Sequence, residues 1–142
     1  MLISESPMTT IESKIGTIKT NAGRVYERIS DLSRLEGLKE QIPQDKVSDW
    51  EVTADTLSFT VAGMAKVNLR IVEREPDKTI KIAGDGAGME FNFWIQLIQA
   101  DENNTRVKLT FRSELNSMMK MMFEGKIKSG LDKMVEGFEK IQ

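Results

Sequence analysis

Residues 90–112 read "EFNFWIQLIQADENNTRVKLTFR". Phe91, Phe93, Ile95 and Leu97 alternate with Glu90, Asn92, Trp94 and Gln96. After the turn residues "DENN", Val107, Leu109 and Phe111 alternate with Arg106, Lys108, Thr110 and Arg112. A strict period of two places one residue set on each face of a strand. Two such runs joined by a short polar turn predict an antiparallel hairpin with one apolar and one polar face, as in a sheet covered on one side.

The same pattern extends towards the N-terminus. Ile80 and Ile82 precede the glycine-rich link "GDGAG". Val67, Leu69 and Ile71 alternate with Lys66, Asn68 and Arg70, and "EPDK" is a turn with Pro76 preset for it. Leu57, Phe59 and Val61 alternate with Ser58, Thr60 and Ala62, and Trp50 and Val52 open the series before the turn "ADT". Six hairpin-linked strands are therefore expected from about Asp49 to Arg112. "TTIESKIGTIK" (Thr9–Lys19), rich in β-branched residues, predicts one further strand at the start.

Two short helices are expected after that first strand. Val25, Ile29 and Leu32 recur at the helical period, with Thr20 or Asn21 as cap. Ser33 and Glu36 have capping-box spacing, and Pro43 stops the second helix near Ile42. The segment Ser117–Ile141 is long and helical in period. Ile127, Leu131, Met134, Val135, Phe138 and Ile141 share one face, with Gly130 and Gly137 at its edge for close approach. Gly125 is a weak helix former that could bend it. A twisted sheet of this size needs a cover on its apolar face, and this helix is the element long enough to supply it.

The start of that helix differs from its end. In "NSMMKMMFEGK" (Asn116–Lys126), Met119 and Phe123 lie near the packed face, whereas Met118, Met121 and Met122 point elsewhere. A helix apolar on all sides needs cover on all sides. Four settings would provide it: packing on the short helices, the mouth of a cavity, a homodimer or partner patch, or a membrane. The membrane is least favoured, because the adjacent basic cluster (Lys120, Lys126, Lys128) is thin.

Composition limits the chemistry. The 142 residues suit one domain, and the formal charge of −2 is unlike a nucleic-acid binder. Residues 1–8 lack the charged and apolar regions of a secretory signal and read as a flexible leader to a single domain over 9–142. No apolar run is long enough to span a membrane. The sequence has no cysteine and no histidine. This removes disulfides, thiol nucleophiles, the commonest general base and the commonest transition-metal ligand. It is compatible with a cytoplasmic location, which is the expectation. "GDGAGME" (Gly84–Glu90) precedes a strand rather than a helix, so it reads as a hairpin turn and not a phosphate loop. Asp101–Asn103 likewise reads as a solvated turn rather than a calcium site. No metal or cofactor is expected.

The opening "IGTIKTNAGRVYERISDLSRLEGL" resembles the START-like superfamily, of the birch-pollen-allergen, polyketide cyclase/dehydrase and lipid-transport type (SRPBCC). The resemblance rests on Ala22, Val25, Tyr26, Ile29 and Asp31, and on the strand count and terminal helix. The sequence lacks the proline usual before the first helix. The resemblance implies an α+β helix-grip fold, a seven-stranded antiparallel curved sheet around a long C-terminal helix. It also implies a cavity for a hydrophobic ligand such as a lipid, sterol, polyketide or isoprenoid quinone.

The presumed inner face carries no titratable residue, so binding or carriage without catalysis is the expected activity. Candidate ligand contacts are Tyr26, Phe59, Leu69, Phe91, Phe93, Ile95, Leu109 and Phe111 from the first helix and the strands. Met118, Met119, Met122 and Phe123 join them from the terminal helix. The alternatives are an interaction or regulatory module whose interior is filled, with a homodimer as one form of it, or a cyclase- or hydrolase-type enzyme. Trp94, on the polar face of its strand, is a hint of a partner contact.

Overall fold

A computed structural model describes residues 8–33, 47–61, 66–86 and 88–141. The described elements run β1 (Met8–Glu12), β2 (Gly16–Ile18), α1 (Ala22–Ile29), β3 (Val47–Val52), β4 (Thr56–Val61), β5 (Lys66–Glu75), β6 (Thr79–Gly86), β7 (Met89–Asp101), β8 (Asn104–Glu114) and α2 (Ser117–Phe138). One antiparallel sheet has the order β1-β8-β7-β6-β5-β4-β3, with β2 also paired to β8. The α+β helix-grip architecture is thus present, with β3–β8 as the six expected hairpin-linked strands. The second short helix expected at Ser33–Ile42, and the leader apart from Met8, lie outside the described residues.

The single strand expected over Thr9–Lys19 is two strands, which makes eight in the sheet rather than seven. Glu12 pairs with Thr110 and Gly16 with Val107. Three residues on one side therefore face two on the other, the arithmetic of a bulge. Ser13 holds the break. Its N–H donates to Leu109 O at 2.9 Å. Its Oγ accepts from Leu109 N at 2.8 Å, in place of a ladder carbonyl. A period-two reading cannot detect a side chain that substitutes for backbone.

The break admits α2. Lys14 N donates to Asp132 Oδ1 at 2.7 Å, and Lys14 Nζ to Glu136 Oε2 at 2.6 Å. Thr17 N donates to Glu139 Oε2 at 3.0 Å. Gly16 lies so close to the helix that an added Cβ would stand 2.4 Å from Val135 Cγ1. Asn21 caps α1 by accepting from Arg24 N, and Val25 and Ile29 are fully buried beneath that helix.

Burial divides α2 in two. Leu131, Val135, Gly137 and Phe138 are buried in the core with Phe93, Ile95, Leu109 and Phe111 of the sheet. From Ser117 to Gly130 no residue is buried. Asn116 caps this half by accepting from Met119 N. The expected close approach at Gly130 does not occur: an added Cβ there would meet nothing within 4 Å, and the same holds at Gly125. Gly137 is buried as expected. The helix is continuous through Gly125.

Candidate functional site

Where α2 stands off, the inner face of the sheet is left partly uncovered. A cavity of about 940 Å³ occupies the space. The inner-face row across it is set by register. Leu57 pairs with Leu69, Leu69 with Gly84, Gly84 with Phe91, and Phe91 with Ser113. All five residues border the cavity, with Met89 at the β6–β7 hairpin and Met119 from α2. The hairpin forms as expected from "GDGAG", and Gly88 takes the left-handed conformation (φ 79°) that glycine alone adopts freely.

Residues of the opposite parity also border the cavity, among them Arg70, Asp85, Glu90, Arg112 and Glu114. Strand alternation turns their side chains from the inner face, and all five are exposed. Among the described inner-face residues of the wall none is titratable. The one hydroxyl in the row, Ser113 Oγ, is buried and donates to Glu90 O at 2.7 Å. The described surface offered to a ligand is therefore apolar at the floor and polar at the edge, with no acid–base pair converging on the floor.

The expected ligand contacts separate into four settings. Leu69, Phe91 and Met119 border the cavity. Phe93, Ile95, Leu109 and Phe111 are at most 5% exposed and form the core beneath it. Tyr26 is half-buried against that core, Phe59 stacks on Trp50 with centroids 5.1 Å apart, and Phe123 is half-buried on α2. Met118 and Met122 are exposed at 70% and 56%, and Met121 at 87%. Neither Met118 nor Met122 reaches the cavity wall, because the helix turns them from the sheet. Gly84, Met89 and Ser113 join the wall without having been singled out. The signal was available, since each lies two residues from an apolar inner-face position.

Other features stand apart from this cavity. A smaller hollow of about 570 Å³ lies beside the start of α1, bordered by Ala22, Asp77, Leu97 and Ile98. Trp94 is half-buried, with Lys81 Nζ 5.5 Å from its ring centroid, so its contact is a cation–π pair within the sheet. Displaced titrations also lie elsewhere. The hydrogen bond to Glu136 holds the Lys14 ammonium above its ordinary range. The backbone hydrogen bond from Lys14, then Lys128, holds the Asp132 carboxyl below its own. Asp101 is held low by hydrogen bonds from Asn103 and Asn104 in the β7–β8 turn. Among the described residues no cluster of acidic side chains is arranged to hold a metal ion, and no helix is long and apolar enough to cross a membrane.

The sequence model of the CoxG family, a carbon monoxide dehydrogenase component, matches residues 15–141. No curated protein matches the sequence. Among solved structures, norcoclaurine synthase from Thalictrum flavum, in complex with dopamine and hydroxybenzaldehyde, superposes with a TM-score of 0.75 at 14% identity. That match covers 94% of this chain and 86% of the other. A START superfamily protein from Mycobacterium smegmatis gives 0.68 at 10% identity, covering 93% and 94%. The Zhui aromatase/cyclase from Streptomyces sp. R1128 gives 0.67 at 15% identity, covering 94% of each chain. At these identities the likeness is one of fold.

Proposed function

We propose that this chain, which belongs to the carbon monoxide dehydrogenase CoxG family of START-like proteins, binds or carries a small hydrophobic molecule of lipid, isoprenoid or polyketide type without transforming it. The observation that carries the reading is the cavity of about 940 Å³ with an apolar floor beneath the unburied half of α2. That volume falls in the range of small-molecule sites, which combine apolar walls with a few polar groups at the edge. Norcoclaurine synthase and the aromatase/cyclase share the fold and are enzymes by name. This chain has no histidine or cysteine for such work, and its one inner-wall hydroxyl is engaged with a backbone carbonyl.

Met119→Lys tests the reading directly. An ammonium beside an apolar ligand loses hydration without gaining a partner. Affinity for the neutral fluorescent probe N-phenyl-1-naphthylamine should fall about tenfold or more, the equivalent of about 1.4 kcal/mol. Met119 is only half-buried, so folding should survive. Unchanged affinity would sink the assignment of the site. Native mass spectrometry of protein from its host should retain a lipid-like mass, and consistently bare protein would count against carriage.

The exposed Met118, Met121 and Met122 favour a second reading, an interaction surface for another copy or a partner. Sedimentation velocity of the wild type and of Met121→Lys separates the two. A dimer abolished by the substitution supports the interaction surface, and a monomer in both cases removes the homodimer.

A further inference from the structure

We infer that the cross-strand pair Gly84–Phe91 sets the depth of the cavity and hence the bulk of the ligand it accepts, an inference that rests on the hydrophobic-ligand reading above. Gly84 of β6 is the direct partner of Phe91 on β7 and of Leu69 on β5. All three border the cavity. A Cβ on Gly84 would stand 2.5 Å from Cε2 and Cζ of the Phe91 ring and 2.8 Å from Leu69 Cδ2. Unbonded carbons prefer about 3.5–4.0 Å. The Phe91 ring therefore lies across bare backbone, in space that any other residue at 84 would fill.

Backbone conformation does not demand this glycine, since Gly88 alone among the described glycines has a positive φ. A glycine inside a strand weakens the strand and often marks a close approach. Here the approach is that of an aromatic ring from the neighbouring strand, a pairing that covers a glycine's missing side chain.

The direction in which the ring would yield follows from its neighbours. Its centroid is 5.2 Å from that of Phe111 and 6.4 Å from that of Phe93. Both of those rings are 5% exposed and held in the core. Leu69 stands on the far side of Gly84. A methyl group at position 84 can move Phe91 and Leu69 only away from the sheet, into the hollow. The floor then rises by the thickness of the displaced ring edge. A wide ligand of fused rings needs the deep floor, whereas a slender alkyl chain does not. Gly84 is thus a positioning residue that acts through Phe91.

The test compares two neutral ligands, N-phenyl-1-naphthylamine by fluorescence titration and 1-dodecanol by competition against it. Gly84→Ala should weaken the aromatic probe about tenfold and dodecanol by no more than about threefold, since one methylene of pocket space is worth roughly that discrimination. Adding Phe91→Leu to Gly84→Ala should return the aromatic probe to within about threefold of wild type, because contacting sites couple. Equal loss of both ligands, or no recovery in the double variant, overturns the inference. A crystal structure of ligand-free Gly84→Ala gives a readout independent of binding. The ring of Phe91 should be lifted into the cavity, and an unmoved ring overturns the inference too. If Gly84→Ala does not fold, Phe91→Leu alone should tighten the aromatic probe relative to dodecanol, and an unchanged ratio refutes the pair's role. Failure of the wild type to bind either ligand would instead remove the carrier reading, leaving the crystallographic test of the pair intact.

Discussion

Val135→Ala and Met121→Ala, in the same helix, should have very different consequences for stability. Val135 is fully buried in the core, where α2 meets β1, β2 and β8. Truncation removes two methyl-sized groups, each worth about 0.8 kcal/mol in transfer. The void left beside Gly16 adds to that cost, for a total of about 2–3 kcal/mol. For a domain of this length each kcal/mol moves the midpoint by about 3–4 °C, so Tm should fall by about 6–12 °C. Met121 is 87% exposed. Its truncation removes little buried surface and installs the best helix former, so the change should stay within about 0.5 kcal/mol, or about 2 °C. Circular dichroism at about 222 nm during thermal unfolding reads both, with fluorescence as a second probe of two-state behaviour. A fall of several degrees for Met121→Ala would refute the division of α2 into gripped and standing halves. If that fall also depended on protein concentration, a second copy would be what buries the methionine.

Three further outcomes follow from the contacts between α2 and the β1–β2 break. Gly16→Ala should destabilise by about 1–3 kcal/mol through overpacking on Val135, and Val135→Ala should recover part of that loss in urea unfolding. Asp132 titrates below its ordinary range when folded, so its contribution is present above about pH 4 and lost as pH falls through its lower folded value. Asp132→Asn should therefore flatten the acid limb of the stability profile, and an unaltered limb would refute the link. Lys14 is shifted upward, so its contribution is present below about pH 10 and lost as pH rises through its higher folded value. Lys14→Met should flatten the alkaline limb and leave most of the acid limb in place, because the backbone N–H to Asp132 survives the substitution.

The sheet was legible because its information is binary. Alternation assigned faces for β4 to β8, and those assignments hold where the register is seen: Leu57, Leu69, Phe91 and their row neighbours share one side. Extending the same parity by one step would have added Gly84, Met89 and Ser113 to the wall. What periodicity could not supply was distance. Phe93, Ile95, Leu109 and Phe111 have the same pattern as Phe91, yet they lie under the gripped half of α2 and are sealed, while Phe91 lies beyond it and borders a hollow. The break at Ser13 was equally hidden, because a hydroxyl standing in for a carbonyl leaves the hydrophobic pattern intact.

The methionine-rich start of α2 and the cavity have one cause. The polar contacts of Lys14 and Thr17 fix only the C-terminal half of the helix against the sheet. The N-terminal half is tied covalently to the end of β8 through Leu115 and Asn116, and it must cross the inner face at a stand-off. Residues on its near side, Met119 and Phe123, are then only half-covered, and the sheet row they overhang is half-covered as well. Filling that space with larger side chains from either surface would bury both and close the cavity. The sequence does the reverse, placing glycine at the centre of the row, where the ring of Phe91 lies against the bare backbone. An apolar hollow kept open forgoes dispersion contacts and costs stability in proportion to its volume. A ligand that fills it recovers those contacts, so binding and folding are coupled, and a filled protein should unfold at a higher temperature than an empty one.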